Sequence, residues 1–211
     1  MTSPQRRDAQ RNRAALLASA RELFAERGLD VTLDEVARHA GVGVGTAYRN
    51  FAGKTALVDD LLVERVQALV DLALACAEVD DPWEGLRGYV EQAMALQVAD
   101  RGLKQLLYAH ADAHVRVDAV RAQLGPAVGA LVQRAHDAGV LRPDVDVSDV
   151  PVINVMLGAV VDLTRDVDPH AYRRYLELVL AGLRAGAEPP ELPPPLPLED
   201  VQGALRRRHA R

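Results

Sequence analysis

The sequence is poor in cysteine and in aromatic residues. Among 211 residues there is a single cysteine, Cys76, and aromatic residues account for only 4%. A lone cysteine excludes an internal disulfide and a multi-cysteine metal site, and it is typical of a reducing compartment. Because strands draw on aromatic and β-branched residues, a chain whose apolar residues are mainly Ala and Leu favours helices. We therefore expect an all-α protein.

The sequence also lacks a long apolar run and a secretion signal. The longest nearly uncharged apolar stretch, 150–161, is well short of the roughly 20 residues that a membrane span needs. The first thirteen residues are polar and rich in arginine, without the apolar segment of a signal peptide. These two absences predict a cytoplasmic protein with no membrane partner.

Positive charge is concentrated at the beginning of the chain. The net charge is -5, yet residues 1–54 carry nine Lys and Arg against six Asp and Glu. Residues 55–188 carry twelve against twenty-one. A basic segment followed by an acidic body indicates an anionic partner for the first quarter of the chain only.

The spacing of apolar residues predicts helices throughout, and no alternating stretch is long enough to predict a strand. Gly125-Pro126 is expected to kink or split one of the helices. Six of the twelve prolines lie between 189 and 197, ahead of a basic end, so the last residues are expected to be disordered. The predicted helices cover 8–27, Thr32 to Gly41, 45–50, 54–78, a segment that begins at Pro82, 102–113, 116–138, 148–166 and 169–186.

Residues 32–51 carry most of the functional information. The Thr32-Leu33-Asp34-Glu35 segment is a capping box, and Gly41 allows a tight turn before a second short helix. The outer surface of that second helix is small, hydroxylated and cationic, which suits phosphates and base edges in a major groove. A nucleotide-binding loop over 41–45 is the first alternative, but it lacks the Walker and dinucleotide spacings. A purely structural helical hairpin is the second.

The run from Thr32 to Lys54, with the frame Ala-Gly-Val…Gly-Thr-x-Tyr-x-x-Phe-x-x-Lys, resembles the DNA-binding signature of the TetR family of transcriptional regulators. The resemblance covers about residues 10–65. It implies a homodimer with a helix-turn-helix domain over 8–54, a helical effector-binding and dimerisation domain over 55–187, and a tail over 188–211. The DNA contacts expected from the pattern and the resemblance are Thr32, Val44, Gly45, Thr46, Tyr48, Arg49, Asn50 and Lys54.

Three positions depart from the family pattern. Gly43 replaces the usual Ser, so the second helix loses a hydroxyl cap at a cost of a few tenths of a kcal/mol. Asn50 stands where the family often has His, and Ala47 replaces a larger apolar residue.

The helix over 148–166 is apolar on almost every side, so it must bury a second face against something. The TetR resemblance implies that this is the partner's equivalent pair of helices, whereas burial within one chain is the alternative. The expected dimer residues are Val150, Ile153, Leu157, Val161, Tyr175, Leu178 and Val179.

Bulky side chains on the helices after residue 80 could line an effector pocket or simply form the core. His110 and His114 have metal-competent spacing, but the glutamate of a metalloprotease motif is absent, and we expect neither a metal nor a cofactor. Since no catalytic set is present, an enzyme is a weaker alternative, as is a protein-interaction module that uses the proline-rich tail. The prediction is a ligand-released repressor that binds a palindromic double-stranded operator as a homodimer, with a small apolar effector that is neutral or cationic. The candidate pocket residues are Trp83, Tyr89, Met94, Tyr108, His110 and Met156.

Overall fold

The computed structural model describes residues 4–27, 30–99, 115–164, 166–186 and 192–209. These ranges contain nine α-helices and no β-strand, which confirms the all-α prediction. None of these helices is both long and apolar enough to cross a bilayer. The helices are α1 (Pro4–Arg27), α2 (Leu33–His39), α3 (Val44–Asn50), α4 (Lys54–Ala77), α5 (Pro82–Ala99), α6 (Val115–Asp137), α7 (Asp149–Thr164), α8 (Tyr172–Leu183) and α9 (Leu198–His209).

Local capping residues set several helix boundaries. Asp81 begins α5, because its Oδ1 accepts from the backbone N–H groups of Trp83 at 2.8 Å and Glu84 at 3.2 Å. Gly139 ends α6 with a φ of 66°, and the N–H of Val140 then donates to the carbonyl of Ala135 at 3.1 Å. These ends agree with the sequence prediction to within a residue or two.

Of the two outcomes expected at Gly125-Pro126, a kink or a split, the split is not found, and another predicted helix lies outside the described residues. Helix α6 runs through Pro126 without splitting. The bond that this proline cannot form would go to the carbonyl of Ala122, and both residues are exposed, so water can solvate the carbonyl. The helix predicted over 102–113 falls outside the described ranges.

The tail was expected to be disordered over 188–211, whereas the structure has α9 there. Val201 is buried, and the Leu198 side chain lies against Gly125 of α6. Leu198 and Val201 are one turn apart, so they share a face of the helix. The prolines at 189–197 led to the expectation of disorder, although the residues that follow them form a short helix.

The chain forms two compact units. The N-terminal unit consists of Met1–Arg65 with Asp100–Asp118 and His209–Arg211, and the C-terminal unit of Val66–Ala99 with Ala119–Arg208. In the N-terminal unit α1 contacts α2 and α3, which also contact each other. The core of this unit contains Leu16, Leu17, Ala20, Leu23, Phe24, Val31, Leu33, Val36, Ala37, Ala47, Phe51, Leu57, Val58, Leu61 and Leu62.

The C-terminal unit packs α5 against α7, and α7 against α8. Trp83, Tyr89 and Met94 are buried in its core. The lone thiol of Cys76 is buried in the same core, which raises its pKa and keeps it protonated. A Cβ at Gly85 would lie 2.6 Å from the carbonyl oxygen of Cys76, so this glycine permits the close approach of α4 and α5.

Helix α7 buries the face that was predicted to form the dimer interface. Val150, Ile153, Leu157 and Val161 all belong to the core of their own chain, so the interface prediction does not hold for them. The sequence of a helix that is apolar on all sides does not indicate which side faces inward. The four residues predicted for the dimer interface lie on the inner side of α7.

The opposite face of α7 is apolar and exposed. Val152, Met156 and Leu163 are among the large exposed apolar residues, and on α8 Tyr175 and Leu178 are exposed as well. Met156, predicted as a pocket residue, is 53% exposed on this outer face, so it does not line the core of the C-terminal unit. Val179 is only half-buried and packs against the core.

Candidate nucleic-acid interface

A complete capping box begins α2. The Oγ1 of Thr32 accepts from the N–H of Glu35 at 3.2 Å, and Glu35 Oε2 accepts from the N–H of Thr32 at 2.8 Å. Arg27, at the end of α1, donates to Glu35 Oε1 at 2.6 Å. The predicted cap is confirmed, and its glutamate also ties α2 to α1.

These contacts lower the pKa of Glu35 from 4.5 to about 2, first through the Thr32 backbone hydrogen bond and then through Arg27. Because the folded-state pKa is depressed, the stabilisation is complete above pH 4.5 and is lost as the pH falls towards 2. We expect Glu35→Gln to weaken this pH dependence of the free energy of unfolding, measured by urea titration across that window. Glu26→Gln, at an exposed site on α1, is the control, and equal slopes for the two variants would contradict the assignment.

The turn between α2 and α3 depends on Gly41. Its φ is 65°, and the following N–H, of Val42, donates to the carbonyl of Ala37 at 2.9 Å. A side chain at a positive φ is strained, so glycine suits this position. Gly43 then caps α3 without a side-chain hydrogen bond, as its replacement of serine predicts.

Helix α3 has one buried residue and a broad exposed surface. Ala47 is completely buried, whereas Val44, Gly45, Tyr48 and Arg49 are exposed. A Cβ at Gly45 would meet nothing within 4 Å, so the fold itself does not require glycine there. A glycine that costs helix stability without helping the packing is suited to the close approach of another molecule.

Arg49 folds back onto its own helix. Its Nε donates to the carbonyl of Gly45 at 3.2 Å, and its Nη2 donates to Thr46 Oγ1 at 2.7 Å. Asn50 donates to the carbonyl of Thr46 at 2.8 Å. Because the Thr46 oxygen accepts from Arg49, its own hydroxyl proton is available to a phosphate, and the remaining N–H groups of Arg49 are held in a fixed plane.

Two hydroxyls expected at DNA, those of Tyr48 and Thr32, interact with carboxylates of α2. The pKa of Tyr48 is raised, because the Asp34 carboxylate of α2 interacts with the protonated hydroxyl and its charge opposes deprotonation. Thr32 Oγ1 donates to Glu35 Oε2 at 2.9 Å. Contacts of these two hydroxyls with phosphates stay predictions.

Lys54 is the first residue of α4, as expected, and is half-buried. Its Nζ lies 6.0 Å from the centroid of the Phe24 ring in α1. The ammonium group therefore lies within cation–π distance of the Phe24 ring.

Sequence reasoning missed Arg13 of α1. Its Nη1 donates to the carbonyl of Asn50, the last residue of α3, at 3.0 Å. The two residues are far apart in the chain, so no local spacing relates them.

The candidate pocket residues are only partly brought together. Trp83, Tyr89 and Met94 share the core of the C-terminal unit, and the Arg184 guanidinium lies 5.1 Å from the Trp83 ring centroid. The expectations for Tyr108, His110 and His114 lie outside the described residues. Within the described ranges, His, Cys, Asp and Glu form no group of three or more that could hold a metal ion.

Comparison with known proteins agrees with this geometry. Residues 16–61 match the bacterial regulatory proteins of the tetR family, and residues 81–185 match the C-terminal domain of SbtR-like transcriptional regulators. The search of curated proteins gives no match.

Two solved structures are similar to the chain over most of its length. A TetR transcription regulatory protein from Mycobacterium vanbaalenii is 34% identical, with 86% of this chain and 100% of that one covered and a TM-score of 0.65. A TetR transcriptional regulator from Streptomyces coelicolor is 32% identical, with 83% and 99% covered and a TM-score of 0.61. The chain therefore belongs to the TetR family of transcriptional regulators, and α2 and α3 form the helix-turn-helix of its DNA-binding domain.

Proposed function

We propose that the chain is a ligand-released repressor that binds a palindromic operator as a homodimer. The observation that carries the proposal is the exposed surface of α3, which presents Gly45, Tyr48 and Arg49 while Ala47 anchors the helix. A helix that exposes a cation, an aromatic ring and bare backbone is suited to the major groove.

The candidate DNA-contacting side chains of α3 and of the start of α4 fall into two groups, phosphate contacts and base contacts. Thr46 and Lys54 supply a hydroxyl proton and an ammonium group, which fit phosphate oxygens and position the protein. Arg49 supplies a planar set of donors, which fits the edge of a guanine. Thr46 orients Arg49 through the hydrogen bond between them.

The exposed apolar faces of α7 and α8 support the homodimer. Helices α7 and α8 contact each other, and each leaves large apolar side chains in water on its outer side. A second copy of the same face would bury both, as in a four-helix interface with two-fold symmetry. Two recognition helices would then bind the two half-sites of an inverted repeat. The residues proposed for this interface are Val152, Met156, Leu163, Tyr175 and Leu178.

The effector is proposed to be a small, largely apolar molecule that is neutral or cationic. Trp83, Tyr89 and Met94 surround it with apolar surface if it enters the C-terminal core. Arg142, which is buried in this unit, is paired with Asp144 at 2.7 Å, so a strongly anionic effector would not gain an unengaged counter-charge from it. Binding that favours one conformation would shift the population away from the DNA-binding state.

The experiment is a gel shift with the DNA upstream of the chain's own gene, at several salt concentrations. We expect Lys54→Ala to weaken operator and random DNA alike and to lower the salt slope by about 1. We expect Arg49→Ala to cost about 1–3 kcal/mol on the operator and to relax sequence preference. Arg173→Ala, at an exposed arginine of α8, is the control. Arg49→Ala binding with wild-type sequence preference would contradict the assigned base contact.

A further inference from the structure

A buried aspartate in α4 holds two arginines from different helices. The side chain of Asp60 is only 8% exposed. Its Oδ1 accepts from Arg116, in the first turn of α6, at 2.7 Å, and its Oδ2 accepts from Arg13 of α1. A buried carboxylate is unfavourable unless it is paired, so Asp60 stays paired with both arginines. Each of its oxygens thereby holds one guanidinium group in place.

Arg13, which is held by Asp60, also contacts the C-terminal end of α3, the proposed recognition helix. Its Nη1 donates to the carbonyl of Asn50, and its guanidinium carbon lies 4.5 Å from the centroid of the buried Phe51 ring. The last carbonyls of a helix have no partner within it, and a cation there is favourable for the helix dipole. Arg13 therefore links Asp60, the last residue of α3 and the residue that follows it.

We propose that Asp60 and Arg13 are positioning residues for DNA binding, which set the C-terminal end of α3, and that Arg116 couples the first turn of α6 to the same carboxylate. The inference rests on the proposed function, since it concerns the same recognition helix. Arg13 acts through α3 and not on the DNA. Arg49 and Asn50 lie in the last turn of α3, so their placement changes when this end of the helix moves.

The chain supplies a matched control for Arg13. Arg21 of α1 forms an ion pair with Glu64 of α4, so it joins the same two helices. The side chains of Arg21 and Arg13 are similarly exposed, at 42% and 38%, whereas their partners differ, since Glu64 is 47% and Asp60 8% exposed. Arg21→Gln therefore controls for the loss of an arginine–carboxylate pair between α1 and α4, and the unfolding midpoint measures the difference that burial makes. Arg21 lies about two helical turns after Arg13 in α1, and its ion pair is with α4, whereas Arg13 also donates to the end of α3.

The test measures operator affinity, its salt slope and the unfolding midpoint for each variant. We expect Arg13→Gln and Asp60→Asn to lower operator affinity by about tenfold with the salt slope unchanged, and Arg21→Gln to change it by less than about twofold. Arg13→Lys keeps an ion pair with Asp60 but lacks the forked donors, so it is expected to retain the wild-type midpoint and still lose affinity. Because they share Asp60, Arg13→Gln and Arg116→Gln are expected to be non-additive, and Arg21→Gln and Arg116→Gln additive.

Four results would overturn the inference. Equal losses for Arg13→Gln and Arg21→Gln would show a general stabilising role. A salt slope lowered by about 1 in Arg13→Gln would show a direct phosphate contact. Full affinity in Arg13→Lys would show that the charge alone suffices. If the wild-type chain bound no DNA specifically, the proposed function would fail as well, whereas wild-type binding with an unaffected Arg13→Gln overturns the inference alone.

Discussion

Met156→Asp in α7 is expected to convert the protein from a dimer into a folded monomer. Met156 is 53% exposed, between Val152 and Leu163 on the outer face of the helix. A charge at the centre of an apolar interface must be desolvated without a partner, so the two copies would no longer associate. Within one chain the same charge stays in water, so the fold is retained.

The loss of the dimer is expected to reduce operator affinity by about 10²–10⁴, because a monomer binds one half-site without the effective concentration that the second provides. Sedimentation velocity gives the oligomeric state, and anisotropy with labelled operator gives the affinity. Arg173→Asp adds a negative charge at an exposed site on α8 and is expected to leave both unchanged. A fully dimeric Met156→Asp protein would refute the interface.

Leu157→Asp, one residue further along α7, is expected to prevent folding of the C-terminal unit. Leu157 is 1% exposed within the core, so the substitution buries an unpaired carboxylate and removes apolar packing. The expected loss exceeds about 4 kcal/mol, a large share of the stability of a typical domain. Circular dichroism melts measure this loss.

The two adjacent substitutions together assign the faces of α7. A folded monomer from Leu157→Asp and an unfolded protein from Met156→Asp would reverse the assignment. Leu157→Ala, which creates a cavity without a charge, is expected to fold with a lower midpoint. Its midpoint should therefore lie below that of the wild type, whereas Leu157→Asp should show no cooperative unfolding of the C-terminal unit.

The helix-turn-helix could be predicted from sequence because its signals are local. The capping box joins residues three apart, and the turn needs one glycine with a positive φ. Both are found where the sequence places them, at Thr32 to Glu35 and at Gly41. Short-range rules are sufficient at these positions, because the hydrogen bonds that set the cap and the turn join residues only three to five apart in the sequence.

The inner face of α7 could not be predicted for a physical reason. A helix that is apolar on all sides has no amphipathic phase, so the packing against α5 and α8 decides which side is buried. The Asp60 contacts were missed for a different reason. Arg13 and Arg116 lie 47 and 56 residues away from Asp60, and only the tertiary fold brings them together.

The most direct test of a dimeric DNA-binding regulator is selection of DNA from a random duplex pool by the full-length chain. The expected result is an enriched inverted repeat, with half-site centres about one helical turn of 10 bp or a multiple of it apart. Binding to it is expected to tighten steeply as salt is lowered. Enrichment of no sequence, or of a single half-site bound by one chain, would contradict the account.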